Sequence, residues 1–138
     1  MRYWEQKIQV QTPQPRPQHW LEGSIVRAGF NLNAKLNTKE QRCAVELFLH
    51  GEKAKGRFYA LQAERKIIEK EFVGPLDWEE LPSRVGCRIV TYRDGCELEN
   101  RESWPELMNW MAEMLDRFQR AFAGRIKAID DEAAELLT

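Results

Sequence analysis

The sequence predicts an α+β fold, a two-layer sandwich whose mainly antiparallel sheet of about five strands, in the order β-β-β-α-β-β-α, is packed on one face by two helices. Three observations carry this reading. Residues 30–37 alternate apolar and polar side chains with a period of two, and over 42–49 Cys43, Val45, Leu47 and Leu49 recur at the same period. Residues 52–72 and 103–129 repeat apolar side chains every three or four positions. Glycine, proline and asparagine clusters separate these runs. A sheet with one apolar face and helices with one apolar stripe bury both by packing together.

The chain of 138 residues has the size of one domain, which buries roughly two-thirds of the surface its unfolded form exposes. Hydrophobic content of 43% and charged content of 31% are globular values, and six Phe and five Trp supply a core. The expected division is a Gln/Pro-rich arm or linker over 1–18, one α+β domain over 19–129 and an acidic tail over 130–138.

In the arm, Pro13, Pro15 and Pro17 alternate, which favours an extended path and forbids a regular helix; Trp4 and Ile8 could anchor it as a strap. A first strand is expected over Trp20–Val26, followed by a turn at Arg27-Ala28-Gly29. Phe30, Leu32, Ala34 and Leu36 then alternate with Asn31, Asn33, Lys35 and Asn37. After the polar Asn37-Thr38-Lys39-Glu40 turn, Cys43, Val45, Leu47 and Leu49 share one face of a strand from Arg42, giving an antiparallel hairpin. The polar side of this sheet, with Asn31, Asn33, Lys35 and Glu46, is expected to face water or a partner.

Gly51 ends the strands, and Glu52–Phe72 reads as one helix with Phe58, Leu61, Ile68 and Phe72 on its stripe. Gly74-Pro75 stops it. Asp77–Leu81 is expected as an edge strand and Gly86–Arg93 as another strand, closed by Asp94-Gly95. The strongest element follows. Ser103, Pro105 and Glu106 have the types and spacing of a capping box, and Leu107, Met111, Met114, Phe118, Phe122, Ile126 and Ile129 form a stripe widened by Trp110 and Leu115. Six or seven helical turns are expected, ending in a tail that begins at Asp130-Asp131-Glu132 and frays.

Charge and chemistry narrow the function. The 21 basic and 22 acidic residues nearly cancel, to a formal net charge of -1, whereas dedicated nucleic-acid binders usually carry a basic excess. Cys43, Cys87 and Cys96 are odd in number and lack CxxC spacing, so neither a disulfide framework nor a zinc site is expected. A reducing cytoplasm fits this cysteine usage. The sequence has no apolar run of membrane-spanning length and no apolar signal region at the start.

Metal-dependent nuclease sites of the restriction-endonuclease type place an acidic residue beside an E-x-K pair. Glu5-Gln6-Lys7 lies in the arm, and Glu64-Arg65-Lys66 lies in the expected helix with its ends on different faces. Glu46 sits mid-strand without a lysine at that spacing. Cys43 and His50 belong to no nucleophile motif, and no glycine-rich phosphate loop occurs. No catalytic residue, metal or cofactor is therefore expected. What remains is a basic run of Arg16, Arg27, Lys35, Lys39 and Arg42, interleaved with Trp20 and Phe30, of a kind that binds nucleic acid by phosphate contact and stacking; its bland alternative is core plus solvation.

The segments Pro15-Arg16-Pro17-Gln18-His19-Trp20, Arg27-Ala28-Gly29-Phe30, Val45-Glu46-Leu47 before Gly51, Trp78-Glu79-Glu80-Leu81-Pro82 and Trp104-Pro105-Glu106 occur in one order. Together they resemble the domain-of-unknown-function family numbered 4268, from about Pro13 to Ala128. The resemblance implies a prokaryotic domain usually placed C-terminal to a restriction-endonuclease-like nuclease domain, hence an accessory role beside DNA processing. No nuclease-like domain precedes it in this chain, so nuclease activity of this polypeptide is not expected. The leading expectation is a non-catalytic accessory or binding module whose partner is nucleic acid or a nuclease. Two alternatives are a metal-dependent nuclease using Glu46 and a homodimer formed through the last helix.

Overall fold

The computed structural model describes residues 6–8, 27–81 and 86–138. The chain runs through β1 (Gln6–Ile8), β2 (Phe30–Asn37), β3 (Arg42–His50), α1 (Ala54–Gln62), α2 (Arg65–Phe72), β4 (Asp77–Leu81), β5 (Gly86–Arg93), a 3-10 turn (Arg101–Ser103), α3 (Trp104–Ala128) and α4 (Asp131–Glu135). This is the expected α+β class, with a helix layer on one face of an antiparallel sheet.

Four strands form the body of the sheet in the order β2-β3-β5-β4, and the three-residue β1 adds to the outer edge of β2. The expected five strands are thus composed differently. Trp20–Val26 lies outside the described residues, and the fifth strand is β1, inside the segment read as an arm. Hairpin register sets Leu32 opposite Leu47 and Leu36 opposite Cys43, while Leu47 also faces Ile89 across β5. Side chains alternate along a strand, so this register gathers the apolar positions of three strands on one side.

Against that side pack Phe58 and Leu61 of α1, Ile68 and Phe72 of α2, and Leu107, Met111, Phe118, Phe122 and Ile126 of α3, all buried. Phe72 meets the Phe118 ring edge-on at 5.0 Å between centroids, a preferred aromatic geometry. The 25 residues of α3 make close to seven turns, as expected. Its stripe is core.

Three details differ from the sequence reading. The single helix over 52–72 is two helices, because Glu64 leaves helical geometry at φ -104° and its N–H donates to the Leu61 carbonyl. Ser103 makes no side-chain cap to α3; its hydroxyl donates to the carbonyls of Glu97 and Asn100, and Glu106 instead pairs with Arg93 at 2.9 Å. The tail, finally, carries α4, whose first residues are capped by the Asp130 side chain accepting from the Glu132 N–H. No helix among the described residues is long and apolar enough to cross a membrane.

Candidate functional site

Two polar networks stand out, one on each side of the sheet. On the face away from the helices, the register sets Asn33, Glu46 and Val90 abreast. Glu46 is only 1% exposed, although the sequence places it on the wet face. Burying a carboxylate is costly unless its charge and lone pairs are matched. Asn33 Nδ2 donates to its Oε2 at 2.9 Å, Lys35 Nζ lies 3.1 Å from the same oxygen, and an Arg88 guanidinium nitrogen lies 3.7 Å from Oε1. Asn33, Asn37, Ala44 and Val90 are buried alongside, so the centre of this face is packed rather than wet.

The network continues outward. Arg88 donates to Glu79 at 2.6 Å, and Glu79 also accepts from the Tyr92 hydroxyl at 2.9 Å. Burial, with that bond, pushes the Tyr92 phenol up to about 12. The Arg42 guanidinium lies 3.7 Å over the Tyr92 ring, a cation–π stack. Its Nε lies 3.0 Å from Asp94 Oδ1, but off the line a hydrogen bond needs, so that contact is coulombic.

At the other side, three cations converge on Asp131. Arg57 holds the carboxylate with two nitrogens, at 2.9 and 3.1 Å; Arg27 donates to it at 3.1 Å and Lys53 at 3.4 Å. The Arg57 hydrogen bonds, joined by Lys53 and the charge of Arg27, hold the Asp131 carboxyl well below the usual carboxylate range. Local structure explains the convergence. Arg27 also donates to the carbonyls of Ile126 and Ile129, at the C-terminus of α3, where cations are favoured. Gly29 sits at φ 94°, and a Cβ there would lie 2.6 Å from an Arg57 nitrogen. Arg57 passes through that opening to the Ala28 carbonyl, 2.8 Å away, with its guanidinium 5.0 Å over the Phe30 ring.

The basic run is therefore dispersed. Arg16 lies outside the described residues. Arg27 reaches the helix layer, Lys35 binds Glu46 on the opposite face, Arg42 stacks on Tyr92 and Lys39 is exposed in the β2–β3 turn. The eight residues of β2, at about 3.3 Å each, separate Arg27 from Lys39. Sequence reasoning missed Lys53, Arg57 and Asp131, which are distant along the chain; the glycine before Phe30 is the one local signal of close approach.

The nuclease elements do not assemble around Glu46, whose oxygens are already engaged by Asn33, Lys35 and Arg88. Glu64 pairs with Arg125 at 3.1 Å; Glu5 lies outside the described residues. Cys43 and His50 differ in strand parity and face opposite sides of β3. Among the described residues no group of three His, Cys, Asp or Glu is placed to hold a metal ion.

Compared with known protein families, residues 1–126 match the model of DUF4268, a domain of unknown function. Neither the curated proteins nor the solved structures gave a match.

Proposed function

Because the chain belongs to the DUF4268 family, whose resemblance carries the expectation of a nuclease neighbour, we propose that it is a non-catalytic accessory module of DNA-processing systems. It binds nucleic acid through phosphate contacts at Arg27, Lys53 and Arg57. The observation supporting this is the convergence of those three cations on one oxyanion, the Asp131 carboxylate. Phosphate takes the same donors, and guanidinium forks suit both anions.

Fluorescence anisotropy with labelled single- and double-stranded oligonucleotides tests it. At physiological salt a sequence-independent Kd between about 10⁻⁶ and 10⁻⁴ M is expected, tightening steeply as salt is lowered. Lys53→Glu reduces binding on either substrate. A flat titration for both strands at low salt ends this reading.

A second reading, self-association through α3, is favoured by Trp104 and Met108, which lie one turn apart and are 46% and 43% exposed. Light scattering that reports monomers at high micromolar concentration removes it.

A further inference from the structure

We propose that α4 is an autoinhibitory cover: its Asp131 carboxylate occupies in cis the place of a phosphate between Arg27, Lys53 and Arg57, and a polyanion that displaces it opens the site. This rests on the nucleic-acid reading above and adds its regulation.

Charge is the first argument. Residues 130–138 carry Asp130, Asp131, Glu132 and Glu135 and no cation, against a formal net charge of -1 for the whole chain. The remainder of the protein is thus a net cation, and its acidic end folds back onto a point where three cations meet. An anion docked on its own chain competes with any external anion by mass action, and the coupling is reciprocal.

The second argument is how lightly α4 is held. Its five residues are too few to be stable as an isolated helix. Ala134 is buried, but Leu136 and Leu137 are 87% and 52% exposed. Two extended residues, Ile129 and Asp130, link it to α3. A cleft of about 570 Å³ between Ala60, Gly124, Ala128 and Leu137 leaves its flank unfilled. The apolar hold on α4 is Ala134 against Gly56, and its polar hold is the partly exposed ion cluster, which salt and competing anions weaken.

A third observation gives a charge-neutral handle. Gly56 lies in α1, yet a Cβ there would stand 2.8 Å from the Ala134 carbonyl oxygen. Alanine is otherwise the better helix residue, so Gly56→Ala evicts α4 sterically while leaving α1 sound and the net charge unchanged.

The test uses the full chain and a labelled single-stranded oligonucleotide at low salt, with hydrogen exchange of residues 130–138 recorded in parallel. Asp131→Asn and Gly56→Ala each tighten binding about five-fold or more, the lower end of ordinary coupling. Both variants, and the oligonucleotide itself, also speed exchange over 130–138. The double variant Glu132→Gln/Glu135→Gln, which removes two charges but keeps Asp131, shifts affinity far less than Asp131→Asn. Equal affinity in all forms, or a double variant that matches Asp131→Asn, overturns the cover while the binding reading stands. Failure of every form to bind overturns both.

Discussion

Lys35 Nζ lies 3.1 Å from Glu46 Oε2 across the β2–β3 hairpin. The lysine was a candidate for phosphate contact and the glutamate a candidate metal ligand, and each neutralises the other. With Asn33 on the same oxygen and Arg88 near the other, the carboxylate serves as a hub that makes a polar strand position compatible with burial. Fully satisfied polar networks of this kind rigidify a face; half-satisfied ones cost stability.

Removing the hub takes away the carboxylate that Lys35 and Arg88 share and leaves the Asn33 amide without its acceptor, while Arg88 keeps Glu79. Glu46→Ala is therefore expected to destabilise the fold by about 3 kcal/mol, read as a shift of the urea midpoint at constant slope. Glu46→Gln, which keeps the shape and the Asn33 bond, costs less. Equal costs for the two variants would show that charge plays no part.

The alternation of Phe30–Asn37 and the stripe of α3 were legible because each follows a single period, and the hairpin register and the burial along α3 bear them out. Burial of Glu46 was not legible, because alternation says which face a residue shares and nothing about what covers that face. The break between α1 and α2 left no trace for a similar reason: Phe58, Leu61, Ile68 and Phe72 keep helical spacing across Ala63-Glu64, where neither glycine nor proline occurs. Long-range pairs such as Arg57 with Asp131, 74 positions apart, have no local signature at all. Arg57 fell unremarked within the helix expected over 52–72, and Asp131 in a tail expected to fray.

Acid should weaken the hold on α4. The Asp131 carboxyl is held below its ordinary range in the folded chain, so its contribution is fully present above the unfolded value of about 3.9 and is lost as pH falls further. Protection of residues 130–138 from hydrogen exchange is expected to begin falling below about pH 4 in the wild type and to go on falling well into the acid range. In Asp131→Asn it is already low at neutral pH. Acid-independent protection in the wild type contradicts this.

The three cysteines should be unreactive in the native state. Cys43, Cys87 and Cys96 are buried. Burial is the largest influence on two of them, pushing the Cys87 thiol up to about 11 and raising Cys43, which the neighbouring Cys96 thiol raises further. The thiolate is the species that reacts. Labelling with a maleimide near neutral pH is expected to modify none of them until denaturant is added, when all three react. Rapid native labelling of Cys43 or Cys87 would show that this core opens locally.

A gain of stability is expected at Val73. It ends α2 in the left-handed region at φ 65° and ψ 55°, a conformation that costs an L residue roughly 1–2 kcal/mol and suits a β-branched one least. The side chain is 70% exposed, so little packing compensates. The useful contacts at this position are made by the backbone: the Val73 N–H donates to the Glu69 carbonyl and its own carbonyl accepts from Arg117. Asparagine tolerates the left-handed region and keeps both, whereas glycine would also loosen the unfolded chain. Val73→Asn is expected to stabilise by about 1 kcal/mol, a rise of a few degrees in Tm for a chain of this size. A lower Tm would mean that the valine methyl groups pack against α3 strongly enough to outweigh the strain.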